Sequence, residues 1–111
     1  MKWITPLYIG EKAEKKKGKI IRGIKQRKAF LNTYVLMLPN NPKNQLDIIQ
    51  ATELKQPFYK TKDFVIVGIA LGKEEAIELV AQITDDAVRE IGTPMIKDYL
   101  VARQNRGMED D

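Results

Sequence analysis

Two segments in the second half of the chain carry the clearest hydrophobic patterns. Residues 64–71, FVIVGIAL, are apolar at both odd and even positions, which predicts a strand that is central or buried on both faces. Residues 73–91 repeat apolar side chains at helical spacing with acidic side chains opposite, which predicts an amphipathic helix. Gly92 favours a helix end, and residues 94–104 predict a short second helix.

The pattern of residues 73–91 also predicts which side of the helix is buried and which side faces water. Its apolar stripe comprises Ala76, Leu79, Val80, Ile83, Ala87 and Ile91, joined by Ile77 and Val88. Its polar face comprises Glu75, Glu78, Gln82, Asp85, Asp86 and Arg89. We therefore expect the stripe to pack on a sheet and the acidic side chains to face water.

The first thirty residues are less regular. Residues 3–9, WITPLYI, are apolar but contain Pro6, which indicates an edge strand or an extended arm. Residues 11–28 predict a basic helix with three isoleucines on one face. Gly18 and Gly23 weaken that helix, because each glycine costs about 1 kcal/mol relative to alanine.

The middle of the chain predicts short elements. Residues 31–38 have the composition of a strand that ends before a proline, and residues 46–50 predict a shorter strand. Thr52 is expected to cap a single helical turn that Pro57 stops.

These elements favour an α+β fold. The connection between the two main strands contains no full helix, which weakens a parallel crossover. We expect a small two-layer sandwich in which helices cover one face of a mixed or antiparallel sheet of about three strands. The alternative is a compact parallel α/β unit. One domain is expected over residues 1–104, with a disordered acidic tail over 105–111.

Composition excludes several kinds of chemistry. The 111 residues include no histidine, cysteine or serine, so the commonest nucleophiles and the ligands of zinc sites are missing. No apolar run is long enough to span a membrane, and the N-terminal residues lack the apolar core of a signal peptide. The lack of cysteine fits a cytoplasmic location. We expect a protein without a cofactor, a metal or an enzymatic activity.

The turn between the central strand and the long helix resembles a phosphate-binding loop only superficially. Three residues separate Gly68 from Gly72, where that motif has four, and Glu74 occupies the position of its magnesium-binding Ser or Thr. Two glutamates in the first helical turn would also repel a phosphate. These glycines are therefore expected to serve close packing and a turn of the chain.

Charge is distributed unevenly, and this asymmetry is the main functional clue. Residues 1–30 carry ten Lys/Arg against two Glu, whereas residues 31–111 carry nine Lys/Arg against thirteen Asp/Glu. The basic segment is predicted to contact an acidic partner, with nucleic acid as the most concrete candidate. The predicted contact residues are Lys15, Lys16, Lys17, Lys19, Arg22, Lys25, Arg27 and Lys28. Trp3, Tyr8 and Phe30 flank this segment and could stack on bases.

Three other interpretations of the basic segment stay open. The lysines could only solvate one face of the helix and pair with acidic side chains, or they could contact an acidic protein or an anionic membrane surface. In a further alternative, the protein is a structural homo-oligomeric subunit without nucleic-acid binding. Apolar side chains of WITPLYI and PMIKDYLVA would then be buried against a second copy.

Two segments carry a resemblance to known sequences. LDIIQATELKQPFY and DFVIVGIALGKEEAIELV together resemble a family of short, functionally uncharacterised bacterial proteins of Gram-positive lineages, over roughly residues 8–92. The resemblance implies a small cytoplasmic bacterial domain. It implies no activity and no functional residues.

Overall fold

The computed structural model describes residues 1–28, 30–60, 63–106 and 108–110, with side chains described as far as residue 104. Its elements, in chain order, are β1 (Lys2–Ile9), α1 (Glu11–Glu14), α2 (Lys17–Lys25), β2 (Thr33–Met37), β3 (Asp47–Gln50), a 3-10 helix (Ala51–Lys55), α3 (Pro57–Lys60), β4 (Val65–Leu71), α4 (Lys73–Ile91), α5 (Ile96–Arg106) and β5 (Met108–Asp110). The fold is α+β, as the sequence predicts.

The strands form one mixed sheet in the order β3-β2-β4-β1-β5. β1 pairs with β4 in parallel, and the other neighbouring strands are antiparallel. The mixed sheet is confirmed, but it has more strands than the expected three. β1 is not an edge strand either, because β5 pairs along its outer side. Pro6 is accommodated where the pairing with β4 shifts, between Trp3 and Tyr8.

Helices cover both faces of the sheet, which corrects the two-layer prediction. On one face, α4 and α5 pack over side chains of β4 such as Val67 and Ala70. On the other face, α1, α2 and the 3-10 helix pack over Ile66 and Ile69. A central strand that is apolar at every position needs apolar cover on both sides, so its own pattern implies three layers.

Several local predictions are confirmed and others are corrected. α4 spans the predicted residues and ends at Gly92, which adopts the left-handed conformation with a φ of 74°. The predicted basic helix is instead two helices, with a break at Lys15 and Lys16. The helical turn after β3 forms, but its capping residue is Gln50, which exchanges hydrogen bonds with Glu53, and not Thr52.

Beyond residue 104 only the backbone is described. The backbone is helical to Arg106 and extended over Met108–Asp110, while Gly107 and Asp111 lie outside the described residues. Disorder over 105–111 therefore stays a prediction.

Candidate functional site

The basic segment is anchored on the sheet by one side of α2. Ile20, Gly23 and Ile24 are buried there, against the core that includes Val35 and Ile66. The opposite side of α2 faces solvent. Of the eight predicted contact residues, seven are exposed, and only Arg27 is half-buried. The amphipathic character of the segment is thus as predicted, although the helix is interrupted.

Arg27 belongs to the fold rather than to the exposed basic surface. Its Nη1 donates hydrogen bonds to the carbonyl oxygens of Leu54, at 3.0 Å, and Tyr59, at 3.3 Å. Its guanidinium lies 5.5 Å from the ring centroid of Phe64. These contacts join the end of α2 to the 3-10 helix and α3. An arginine already used in this way has little freedom to contact a partner.

Two of the lysines have local partners, and a third shares a hollow with acidic side chains. Lys17 Nζ lies 3.0 Å from Glu14 Oε1, an exposed pair three residues apart that contributes little stability. Lys25 Nζ lies 5.7 Å from the ring centroid of Trp3. Lys15 lines a 330 Å³ hollow together with acidic side chains, among them Glu74 and Glu78. The interpretation in which lysines pair with the acidic helix α4 stays a prediction, because the ion pair described for this segment is with Glu14 of α1.

The other basic side chains form the surface most available to a partner. Lys16, Lys19, Arg22 and Lys28 are exposed, and none of them forms an ion pair with any residue that the structure describes. Lys19 and Arg22 are three residues apart on α2 and so share a face. We call Lys16, Lys19, Arg22 and Lys28 the basic surface.

An apolar cleft lies beside the basic surface. Lys16 and Lys19 line it together with Phe30, Leu31 and Leu71, and its volume is about 150 Å³. Leu31 is 89% exposed, which is unusual for a large apolar side chain. Trp3 and Tyr8, by contrast, are about 95% buried, so the prediction that they stack on bases is wrong.

Glu75 connects the first turn of α4 to the start of α1 and the end of β4. Its carboxylate is 6% exposed and accepts three backbone hydrogen bonds. The donors are Lys12 N at 2.7 Å, Ala13 N at 3.1 Å and Leu71 N at 2.9 Å. The chain's own carboxylate thus holds two N–H groups at the start of α1 and the N–H of Leu71 in β4, which leaves these three donors unavailable to an anion.

The environment of Glu75 keeps it ionised. Burial opposes the ionised form, but the three N–H donors and the charge of Lys12 outweigh burial and hold the pKa of Glu75 below its usual range. The prediction that Glu75 lies on the outer face of α4 is wrong. The missed signal is spacing, because Glu75 precedes Leu79 by four residues and so falls on the buried stripe.

A second polar cluster joins β1 to α4 and α5. Tyr8 OH donates to Asp86 Oδ2 at 2.5 Å and lies 3.0 Å from Tyr99 OH. Arg89 Nη2 lies 2.6 Å from Asp86 Oδ1, and the Arg103 guanidinium lies 4.5 Å from the ring centroid of Tyr8. The cluster borders a wide, mainly polar depression of about 390 Å³.

The pKa directions in this cluster favour a fixed hydrogen-bond network. Burial, followed by the hydrogen bonds to Asp86 and Tyr99, raises the pKa of Tyr8 well above its ordinary value. Burial disfavours ionisation of Asp86, but hydrogen bonds from Tyr8 and Arg89 outweigh it and lower the pKa of that carboxyl. A phenol that stays protonated and a carboxylate that stays ionised exchange no proton near neutrality.

The apolar segments considered as an oligomer surface are mostly used inside the molecule. Trp3 and Ile4 of β1 are buried, as are Ile96, Tyr99 and Leu100 of α5. Met95 and Val101 of PMIKDYLVA are exposed, and further exposed apolar side chains occur on the outer side of α4. Ile77, Val88 and Ile91 are 55%, 48% and 40% exposed, so the prediction that they belong to the buried stripe is wrong.

The described residues contain no group of three or more acidic, histidine or cysteine side chains that could hold a metal ion. Within the same part of the chain, no helix has both the length and the apolar character to cross a membrane.

Comparison of the chain with protein-family models, curated proteins and solved structures finds no match. The resemblance to short bacterial proteins therefore stays a prediction. Any function of this protein has to be argued from its own residues.

Proposed function

We propose that this protein is a non-enzymatic binding domain whose basic surface contacts nucleic acid. The observation that carries the proposal is the basic surface itself, in which four cationic side chains are exposed and have no ion-pair partner among the described residues. Lys19 and Arg22 lie on α2, Lys16 directly precedes it and Lys28 follows it, and exposed cations of this kind can neutralise phosphates and release their counterions. Cytoplasmic location and bacterial origin belong to the same proposal.

The attachment of α2 to the sheet favours a binding role for the basic surface over a surface whose lysines only contact water. α2 is fixed to the sheet by Ile20 and Ile24, which are 4% and 1% exposed. Its lysines therefore project from a rigid base, and a partner would order side chains but not the backbone. The acidic side chains of α4 approach Lys15 from one side and leave Lys16 and Lys19 beside the apolar cleft.

The proposal predicts a measurable salt dependence. If about four phosphates of a single strand are neutralised, the slope of log K against log salt is about −2.8, and affinity falls about 50-fold between 50 and 200 mM salt. Fluorescence anisotropy of labelled oligonucleotides measures this slope. In the double variant Lys16→Glu/Lys19→Glu, two contacts are lost, and the slope becomes shallower by about 1.4.

A matched control separates local contacts from net charge. The double variant Lys43→Glu/Lys97→Glu changes the net charge by the same amount at lysines away from α2, on the α5 side of the molecule. We expect it to keep the slope of the parent protein. An equal loss of binding in both variants, or no binding by the parent at physiological salt, would refute the proposed interface.

The second candidate function is a structural homo-oligomer formed through α4. Ile77, Val88 and Ile91 lie on one helical face, because their spacings are close to whole numbers of turns. An exposed apolar stripe of this kind can be buried against a second copy. Analytical ultracentrifugation distinguishes the two functions, because an oligomer predicts a concentration-dependent mass that Ile77→Glu lowers and Lys16→Glu does not.

A further inference from the structure

The apolar cleft beside the basic surface points to a specific kind of ligand. We infer that it receives one unpaired base of a single-stranded nucleic acid whose phosphates contact Lys16 and Lys19. This inference rests on the proposed function and adds the ligand class and the contact that selects it.

The cleft combines an apolar interior with a cationic rim. Ile20, Phe30 and Leu71 contribute buried or half-buried apolar surface, and Leu31 is exposed beside them. Lys16 and Lys19 line the same cleft, and both are exposed. A flat group with apolar faces that is attached to an anion complements both features. A nucleotide has this chemistry, because its base is flat and stackable and its phosphate is negative.

Phe30 is held in a fixed position. A Cβ atom on Gly23 would lie 1.7 Å from Phe30 Cε2, so the ring packs directly on the backbone of α2. The ring is only partly buried, and its location depends on the absence of a side chain at position 23. A ring fixed in this way presents a stacking surface without further ordering when a base binds.

The position of Leu31 also favours an occupant of the cleft. It lies in the connection between α2 and β2, and the hydroxyl of the buried Thr33 donates to its carbonyl oxygen at 3.4 Å. Its side chain is nevertheless almost fully exposed next to two lysines. A base seated in the cleft would cover this side chain, which makes its removal a direct test.

The ligand is a single strand because bases in a duplex are stacked and paired. An isolated cleft on a helical surface cannot reach the face of a paired base without extruding it. An anionic membrane surface would use the same lysines with Leu31 inserted among the lipids. The concave shape of the site fits a discrete flat group better than the plane of a lipid surface, and the membrane is one outcome of the test.

The experiment uses the full chain and four probes, with binding measured by anisotropy or co-sedimentation. The probes are labelled oligo-dT, an abasic oligomer of the same length and charge, a duplex of the same length, and vesicles that contain phosphatidylserine. We expect oligo-dT to bind more tightly than the abasic strand, by between about fivefold and about a hundredfold for one stacked base. The duplex should bind no more tightly than the abasic strand.

Leu31→Ala and Phe30→Leu test the cleft itself. Each should weaken oligo-dT binding by about fivefold or more without changing the slope against salt, because no phosphate contact is removed. Phe30→Leu keeps an apolar side chain over Gly23, and Leu31→Ala changes an exposed position, so both variants should fold. Ile48→Ala is the matched control at an exposed apolar position on β3.

The outcomes separate the two proposals. Equal affinity for oligo-dT and the abasic strand overturns the cleft inference and leaves the basic surface in place. Binding of neither strand overturns the proposed function and the inference with it. Binding of vesicles alone, lost in Leu31→Ala, assigns the same residues to a membrane surface and refutes both.

Discussion

The substitution Glu75→Gln tests how the basic segment is attached to the rest of the molecule. The Glu75 carboxylate bonds Ala13 N and Leu71 N through Oε1 and Lys12 N through Oε2. A glutamine side chain has one acceptor oxygen and one NH₂ group. It can therefore keep the two bonds on one oxygen, but its NH₂ group would then face the third backbone N–H.

The expected decrease in the free energy of unfolding follows from the change in these hydrogen bonds. Hydrogen bonds to a charged group contribute roughly 1.5–3 kcal/mol each, against roughly 0.5–1.5 kcal/mol between neutral groups. Losing one bond and weakening two predicts a decrease of about 3 kcal/mol in the free energy of unfolding. For a domain of this size, that is a large fraction of the total stability.

Urea denaturation followed by tryptophan fluorescence measures this change. Trp3 is the single tryptophan and is buried in the core that includes α1 and α2, so its emission reports the relevant packing. Glu78→Gln is the matched control, because Glu78 lies one turn further along α4 and is exposed. We expect the control to change stability by less than about 0.5 kcal/mol. A loss below about 1 kcal/mol in Glu75→Gln would refute the reasoning.

The pH dependence gives an independent check of the same contact. The folded pKa of Glu75 is lowered, so its contribution is fully present above the unfolded pKa of about 4.3. The contribution is lost as the pH falls below that value and through the folded pKa. Glu75→Gln should therefore reduce the difference in stability between neutral and acidic solution, and an unchanged acid profile would contradict the assignment.

Three further predictions use matched pairs or single changes. Gly18→Ala should raise the free energy of unfolding by up to about 1 kcal/mol, since the added methyl meets open space, whereas Gly23→Ala should lower it through collision with the ring above α2; thermal denaturation compares the two. Arg27→Ala should destabilise by about 1–2 kcal/mol by leaving two carbonyl groups without their donor, while Arg22→Ala should leave stability unchanged in the same assay. Because the pKa of Tyr8 is raised, its protonated hydroxyl contributes stability below the unfolded pKa of about 10, and this contribution is lost as the pH rises above that value. Tyr8→Phe should therefore flatten the alkaline part of a stability profile measured in urea.

The parts of the fold that could be predicted from sequence are those with a local pattern. β4 follows from the short length and β-branched composition of its wholly apolar run, and α4 follows from its helical periodicity. Because both faces of β4 are apolar, its pattern also implies that helices cover both sides of the sheet. The two-layer prediction failed because it provided no cover for the second face.

The parts that could not be predicted depend on contacts between distant residues. Glu75 bonds the backbone of Ala13, and Tyr8 bonds Asp86, although each pair is far apart in sequence. The basic segment was found from its composition, but composition does not show that Arg27 is engaged by carbonyl groups of later elements. Only the packing of α2 on the sheet shows that Arg27 is held inside the fold while Lys16 and Lys19 stay exposed.

The position of β1 between β4 and β5 links the basic surface to the unfolding of the whole molecule. Pairing Lys2 with Val65 closes a loop of about 60 residues, which opposes folding by about 4 kcal/mol of chain entropy. α1 and α2 are too short to be stable as isolated helices, so they form only when this pairing is in place. Detaching the N-terminal segment would also expose the inner edge of β4. The amides of β1 and α2 should therefore exchange with solvent mainly through global unfolding, and the segment that carries the basic surface has no separate opening step.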